Sequence, residues 1–219
     1  MSFTFHHNDL SELKKLADLC FICPLAERRQ NVVFGEGNDR SPLMLIGEGP
    51  GEQEDSTGRP FVGRAGQLLT RGLEDAGLSR NEVFITNTVK CRAADWSTGK
   101  PQNRAPTFEE ALACRDWLVK QITIIKPRII LCIGAPSAKN LIRNDLKITR
   151  ERGRLFQSDL ACGILATLHP SYILRQANIS GDGGYHLFVE DIKKAWDLSQ
   201  RLVSAGKRSP LDLNKESDF

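Results

Sequence analysis

Four apolar residues, Leu43-Met44-Leu45-Ile46, run directly into Gly47-Glu48-Gly49-Pro50-Gly51, and no other junction restricts the fold as much. A short apolar run without alternation reads as a strand buried on both faces, the mark of a parallel sheet. Three glycines and a proline then stop the strand and let the backbone turn close to whatever it binds. Leu68, Leu69, Leu73 and Ala76 share one helical face, so a helix restarts near Arg64. Strand, glycine-rich turn and helix together place a ligand beyond the carboxyl end of the strand. The spacing fits neither a phosphate-cradling Gly-Lys-Ser/Thr loop nor the three-glycine dinucleotide fingerprint. Glu48, Glu52, Glu54 and Asp55 would repel phosphate, so the loop suits a sugar or a base; Gln53 and Asp55 read as solvated.

The same alternation recurs along the chain. Asp9 or Ser11 caps a first helix whose apolar face is Leu10, Leu13, Leu16 and Ala17. Residues 83–87 form a strand ending in Asn87, and 92–106, rich in Pro, Gly, Asn and Asp, form a loop. Thr107-Phe108-Glu109-Glu110 has capping-box spacing and opens a helix to about Ile124. A strand over 128–134, a helix over 136–143, a strand over 163–168 ending in His169-Pro170-Ser171, and an amphipathic helix over 187–203 follow. Strands alternating with helices predict an α/β fold, a parallel sheet covered on both faces.

A chain of 219 residues suits one domain, here 1–205, with a polar tail over 206–219. Its 40% hydrophobic and 26% charged residues are ordinary globular values, and a net charge of +3 does not announce a nucleic-acid binder. The start carries no basic-then-apolar leader, His6 and His7 read as having no ligand role, and no apolar run reaches membrane length. A cytoplasmic protein with reduced thiols is expected, and its six cysteines are then ligands or core residues.

Cys20 and Cys23 form a Cys-x-x-Cys pair, and Cys91 and Cys114 lie twenty-two residues apart. Four thiolates suit zinc or an iron–sulfur cluster, although a zinc ribbon usually offers a second short pair. Cys91 and Cys114 also suit plain packing, as Cys132 and Cys162 in apolar strands do.

Three separated segments carry a resemblance: Gly47–Gly51 with Gly58-Arg59-Pro60-Phe61-Val62-Gly63-Arg64-Ala65-Gly66, then Thr86-Asn87-Thr88-Val89-Lys90-Cys91, then His169-Pro170-Ser171. Together they resemble the uracil-DNA glycosylase superfamily, most of all its iron–sulfur branch, family four, from about Cys20 to Arg175. The resemblance implies a three-layer sandwich with a central four-stranded parallel sheet and helices on both faces. It also implies a structural 4Fe–4S cluster on Cys20, Cys23, Cys91 and Cys114, and excision of uracil from single- or double-stranded DNA. A monomeric, nucleoid-associated repair enzyme is the expectation.

The chemistry agrees residue by residue. A base inside a duplex must be flipped out before its glycosidic bond can be reached. Phe61 suits stacking on the uracil ring, and Asn87 offers a carboxamide that pairs with O4 and N3–H together, an order cytosine reverses. His169 suits a hydrogen bond to O2 as charge grows on the leaving base, and Glu48 suits the cationic sugar or the attacking water. Gly49 stands where the best-known branch carries an aspartate, which leaves the water-activating group open, including none at all. Glu54 resembles the residue that guards the pocket against the methyl group of thymine. By residue type alone, Phe61 also suits a core, Asn87 a turn cap and His169 a buried, satisfied histidine.

The loop between Cys91 and Cys114 is longer than is usual in family four. A sister branch that captures uracil-DNA covalently also has a long loop, with a nucleophilic histidine. Asn103 takes that catalytic position here, and an amide is a poor nucleophile, so turnover without a covalent trap is expected. Phosphate contacts are expected from Arg64, Lys90, Arg92, Lys100, Arg104, Arg152, Arg154 and Arg175, with Ser171 to Arg175 resembling the family's minor-groove wedge.

Overall fold

The structure is a computed structural model that describes residues 9–97, 99–177, 179 and 181–207, so His6, His7 and the tail from 208 onward lie outside the described residues. In chain order the strands are β1 (Glu36–Gly37), β2 (Leu43–Gly47), β3 (Phe84–Asn87), β4 (Ala94–Asp95), β5 (Gln102–Asn103), β6 (Ile129–Ile133) and β7 (Gly163–Thr167). The helices are α1 (Leu10–Asp18), α2 (Glu52–Thr57), α3 (Arg64–Asp75), α4 (Phe108–Ile125), α5 (Ala135–Leu141), α6 (Ile148–Glu151), α7 (Pro170–Gln176) and α8 (Tyr185–Ser204).

The main sheet has the order β1-β3-β2-β6-β7. β3, β2, β6 and β7 are mutually parallel, as the resemblance implies. The fifth strand departs from it: β1 adds two residues antiparallel to β3. It is too short for any periodicity to announce it, and it covers the exposed ladder of β3.

Both faces of the sheet are buried, which is why its strands are apolar at consecutive positions. Leu43 and Leu45 of β2 join Leu69 and Leu73 of α3 and Phe188 and Ile192 of α8. The alternate residues Met44 and Ile46 join Leu118, Ile122 and Ile125 of α4 and Ala138 of α5 on the other side. Each such Leu or Ile stabilises the fold by roughly 1.5–3 kcal/mol through burial. Cys132 and Cys162 are packed in these two cores as expected. A third cluster joins α1, through Leu13 and Ala17, to Cys91 and Cys114.

Helix ends follow local chemistry. Asp9 caps α1 by accepting from Ser11 N at 2.8 Å, and Thr107 caps α4 by accepting from Glu110 N at 3.2 Å. α4 stops where Lys126 turns left-handed, with φ of 55°, ahead of Pro127. Two sequence expectations need correction. α2 occupies part of the acidic turn, and the loop over 92–106 contains the β4–β5 hairpin. Among the described residues no helix is long and apolar enough to cross a membrane. The carboxyl ends of β2, β3 and β7 open on one edge, where Glu48, Asn87 and His169 stand.

Candidate active site and cysteine cage

One cleft of about 390 Å³ is lined by Glu48, Gly49, Glu54, Phe61, Asn87 and His169, and at its rim by Arg64, Asn103, Arg104 and Ser171. Residues more than a hundred positions apart thus meet where the parallel strands end. The Phe61 and His169 rings lie 6.3 Å apart between centroids, inclined at 36°.

Phe61 sits in the left-handed region with φ of 52°, a costly conformation for an aromatic residue, on the order of 1–3 kcal/mol. Its neighbours over-determine it. Glu54, buried on α2, accepts from Val62 N at 2.9 Å and Gly63 N at 2.8 Å through one oxygen, and from Gly51 N at 3.1 Å through the other. Arg80 donates to Phe61 O at 3.1 Å and Pro60 O at 2.8 Å, and is itself fixed by Glu36 at 2.7 Å. Gly66, in the first turn of α3, lies flat against the Phe61 main chain, where any Cβ would collide with the carbonyl. Neither the loop-clamping role of Glu54 nor Arg80 at all was legible beforehand. A charged residue followed three positions after Gly51 was a capping signal for α2 that the acidity of the turn obscured.

Asn87 ends β3 in register with Gly47 of β2. Its Oδ1 is buried without a hydrogen-bond partner, one of two such side-chain atoms among the described residues. Buried carboxamide oxygens are normally satisfied, so an unpartnered one lining a cleft is an exception. His169 precedes α7, and its Nδ1 accepts from Ser171 N at 3.1 Å. Burial first, and then the nearby Arg175 guanidinium, hold its pKa down to about 4. The ring is therefore neutral near pH 7, with its proton on Nε2. Glu48 is half-buried, burial raises its pKa, and among the described residues its carboxylate has no ion-pair partner.

Several expected DNA contacts are corrected. Lys90 is fully buried, with Nζ donating to Thr86 Oγ1 at 2.7 Å, Asn87 O at 2.7 Å and Gln121 Oε1 at 2.6 Å, so it cannot reach a phosphate. Burial lowers its pKa to about 7. Arg92 is buried too, and its guanidinium holds Asn103 Oδ1 at 2.7 Å. Arg152 is paired with the buried Asp191 at 2.7 Å. Asp55, expected in solvent, is buried and accepts from Gln30 N at 3.0 Å. Arg104 reaches the cleft rim while paired to Glu110 at 2.7 Å, and Lys100 and Arg154 line neither the cleft nor its neighbour. Arg64, Ser171 and Arg175 line an adjoining groove with Leu174.

Cys20, Cys23, Cys91 and Cys114 line a separate narrow cavity with Trp117 and Arg29. Three of the sulfurs accept hydrogen bonds, Cys20 from Trp117 Nε1 at 3.4 Å, Cys91 from Arg29 at 3.6 Å and Cys114 from Lys90 N at 3.3 Å. Burial, the larger effect, pushes the Cys91 and Cys114 thiols up, and these donors oppose it. Among the described residues no group of three or more metal-ligating side chains is gathered to hold a single ion.

Parallel strands thus gather an aromatic ring, a carboxamide and a neutral imidazole at one cleft, the arrangement of a base-excising class of α/β protein. The chain belongs to the uracil DNA glycosylase superfamily, whose family model matches residues 34–197. It is 44% identical to the Type-4 uracil-DNA glycosylase of Thermotoga maritima, over 80% of this chain and 87% of that protein. A Pyrobaculum aerophilum protein of the same designation is 42% identical over 80% of this chain and 89% of its own length. That of Sulfurisphaera tokodaii is 38% identical over 88% and 86%.

Proposed function

We propose that this chain is a monofunctional uracil-DNA glycosylase that flips uracil out of DNA and hydrolyses its N-glycosidic bond, leaving an abasic site. The observation that carries this reading is the buried, unpartnered Oδ1 of Asn87, in one cleft with Phe61 and His169. Uracil N3–H supplies the missing donor, and the Asn87 amide N–H donates to O4. Cytosine has no N3–H and offers an amino group instead, so it leaves the carboxamide unpaired, at a cost of about 1–3 kcal/mol.

Phe61 stacks on the uracil ring, a contact worth about 1–3 kcal/mol per base. As the bond between N1 and C1′ breaks, the electron pair leaves on uracil, and the neutral His169 donates from Nε2 to O2. Removing such a donor typically costs about 2.7–4 kcal/mol in the barrier. Glu48, partly desolvated, places its carboxylate to stabilise the positive charge left on the sugar and to orient the water that adds to C1′, whose proton passes to the departed uracil anion. Glu54 shapes the pocket wall against the methyl group of thymine by holding Gly63 and Phe61 in place. Asn103, already held by Arg92, serves the cleft as a polar wall and forms no bond to the sugar. Arg64, Ser171 and Arg175 meet the DNA backbone along the adjoining groove, and Arg104 meets it at the cleft rim.

Cys20, Cys23, Cys91 and Cys114 hold a structural 4Fe–4S cluster in this reading. Four sulfur donors around one cavity, three of them accepting N–H bonds, suit a cluster, and the wide spacing of Cys91 and Cys114 departs from a zinc ribbon. Such a cluster would tie the segment after α1 and the turn after β3 to α4, and would take no part in the reaction. A single domain over 1–205, acting as a cytoplasmic monomer near DNA, completes the proposal.

The test is incubation with a uracil-containing oligonucleotide followed by alkali. A strand cut at uracil supports the reading. A covalent band would make the chain a trapping protein, and a gel shift alone would make it a binding module; either overturns it.

A further inference from the structure

Lys90 stands out as a buried lysine that the reaction does not use. Its Nζ lies within 2.7 Å of three oxygens, Thr86 Oγ1, Asn87 O and Gln121 Oε1. The frame around it is equally closed. Thr86 Oγ1 and Gln121 Nε2 both donate to Phe34 O at 2.8 Å. Thr88 N and Val89 N donate to Gly47 O at 2.9 Å and Glu48 O at 3.0 Å, binding the turn after β3 to the end of β2.

Three donors in a fixed, water-excluded arrangement hold an acceptor in place far better than a solvated group can. The acceptor of interest is the main-chain carbonyl of Asn87, the same residue whose carboxamide reads the base. We infer that Lys90 is a positioning residue for base recognition: by gripping the Asn87 carbonyl it aims that carboxamide into the cleft, and so helps select uracil without touching base or phosphate. This rests on the functional reading above.

The experiment is a double-mutant cycle in single-turnover excision with enzyme in excess. Lys90→Met keeps the length of the side chain and, through its main-chain N–H, the bond to Cys114 Sγ. Misplacement of a recognition group by about 1 Å costs on the order of a hundredfold, so Lys90→Met should lose ten- to hundredfold in kcat/KM. In an Asn87→Ala background the same change should cost less than twofold, since the group it aims is gone. A merely structural role would multiply the two losses, and that result overturns the inference.

A second readout is the slope of log affinity for DNA against log salt. It should be unchanged in Lys90→Met, whereas loss of a phosphate contact would flatten it by about 0.7–0.9 and refute the assignment. If Lys90→Met does not fold, Gln121→Leu removes one of the three oxygens. It should show a three- to tenfold loss that also vanishes with Asn87→Ala, and persistence of that loss would refute the inference. Wild-type protein without activity on uracil-DNA would instead overturn the functional reading itself.

Discussion

Adding one methyl group at Gly47 should close the base slot. Gly47 ends β2 in register with Asn87, and its backbone is not in the left-handed region, so alanine is conformationally acceptable there. Its Cβ would nevertheless lie 2.5 Å from Phe61 Cζ and press on Asn87 Oδ1. Carbon atoms rest about 3.5–4.0 Å apart, so the Phe61 ring must retreat by roughly 1 Å, or Asn87 must rotate away. Overpacking of this kind costs about 1–3 kcal/mol of stability, equivalent to about 2–12 °C in Tm for a chain of this size. The same displacement costs on the order of a hundredfold in catalysis, because it moves the stacking ring and the reading amide together. Single-turnover excision from a uracil oligonucleotide, with thermal melting and inhibition by free uracil, measures all three effects. Gly47→Ala should be slower by about two orders of magnitude, weakly inhibited by uracil, and folded at 25 °C. A variant within threefold of wild type in rate and uracil inhibition would show that Phe61 and Asn87 do not converge over Gly47.

Other perturbations have equally definite outcomes. The acid limb of kcat/KM should lie above 4.5, belong to Glu48 and vanish in Glu48→Gln, since burial raises that carboxyl. His169, neutral down to about 4, should add no limb near 6.5, and one that disappears in His169→Asn would contradict the neutral ring. Because the folded pKa of His169 is depressed, its stabilising contribution is full above 6.5 and is lost as pH falls toward 4; melting of wild type against His169→Asn across that window checks the sign. Arg80→Met leaves Glu36 to Arg59 alone and releases two carbonyls, which should cost about 1–3 kcal/mol and lower Tm by about 2–12 °C, with a raised KM as Phe61 loosens. Cys114→Ser should lose iron and visible absorbance while Cys132→Ala keeps both; equal loss would place the ligands elsewhere. Asn103→His should slow release and yield some protein–DNA adduct, and denaturing gels showing only free product would reject that role.

The sheet was legible because its strands are buried on both faces, and double burial writes itself into consecutive positions such as 43–46 and 129–133. Helix starts at Asp9 and Thr107 were legible because caps are built from neighbours a few residues apart. Asn87 and His169 could be named because each follows the apolar run of a strand, and Phe61 because it lies in the Gly58–Gly66 motif that carries the family resemblance. Other features depended on partners that no local pattern carries. Lys90 meets Gln121 across 31 positions and Arg152 meets Asp191 across 39, and those distant oxygens help draw residues of surface type out of solvent. Burying a charge is costly unless it is matched, and the matching groups are assembled by the tertiary fold alone. The two-residue strand β1, the polar helix α2 and the grip of Arg80 on Phe61 belong to the same category. Each is too short or too polar to generate a period, and each is held in place by contacts that exist only after the sheet has closed.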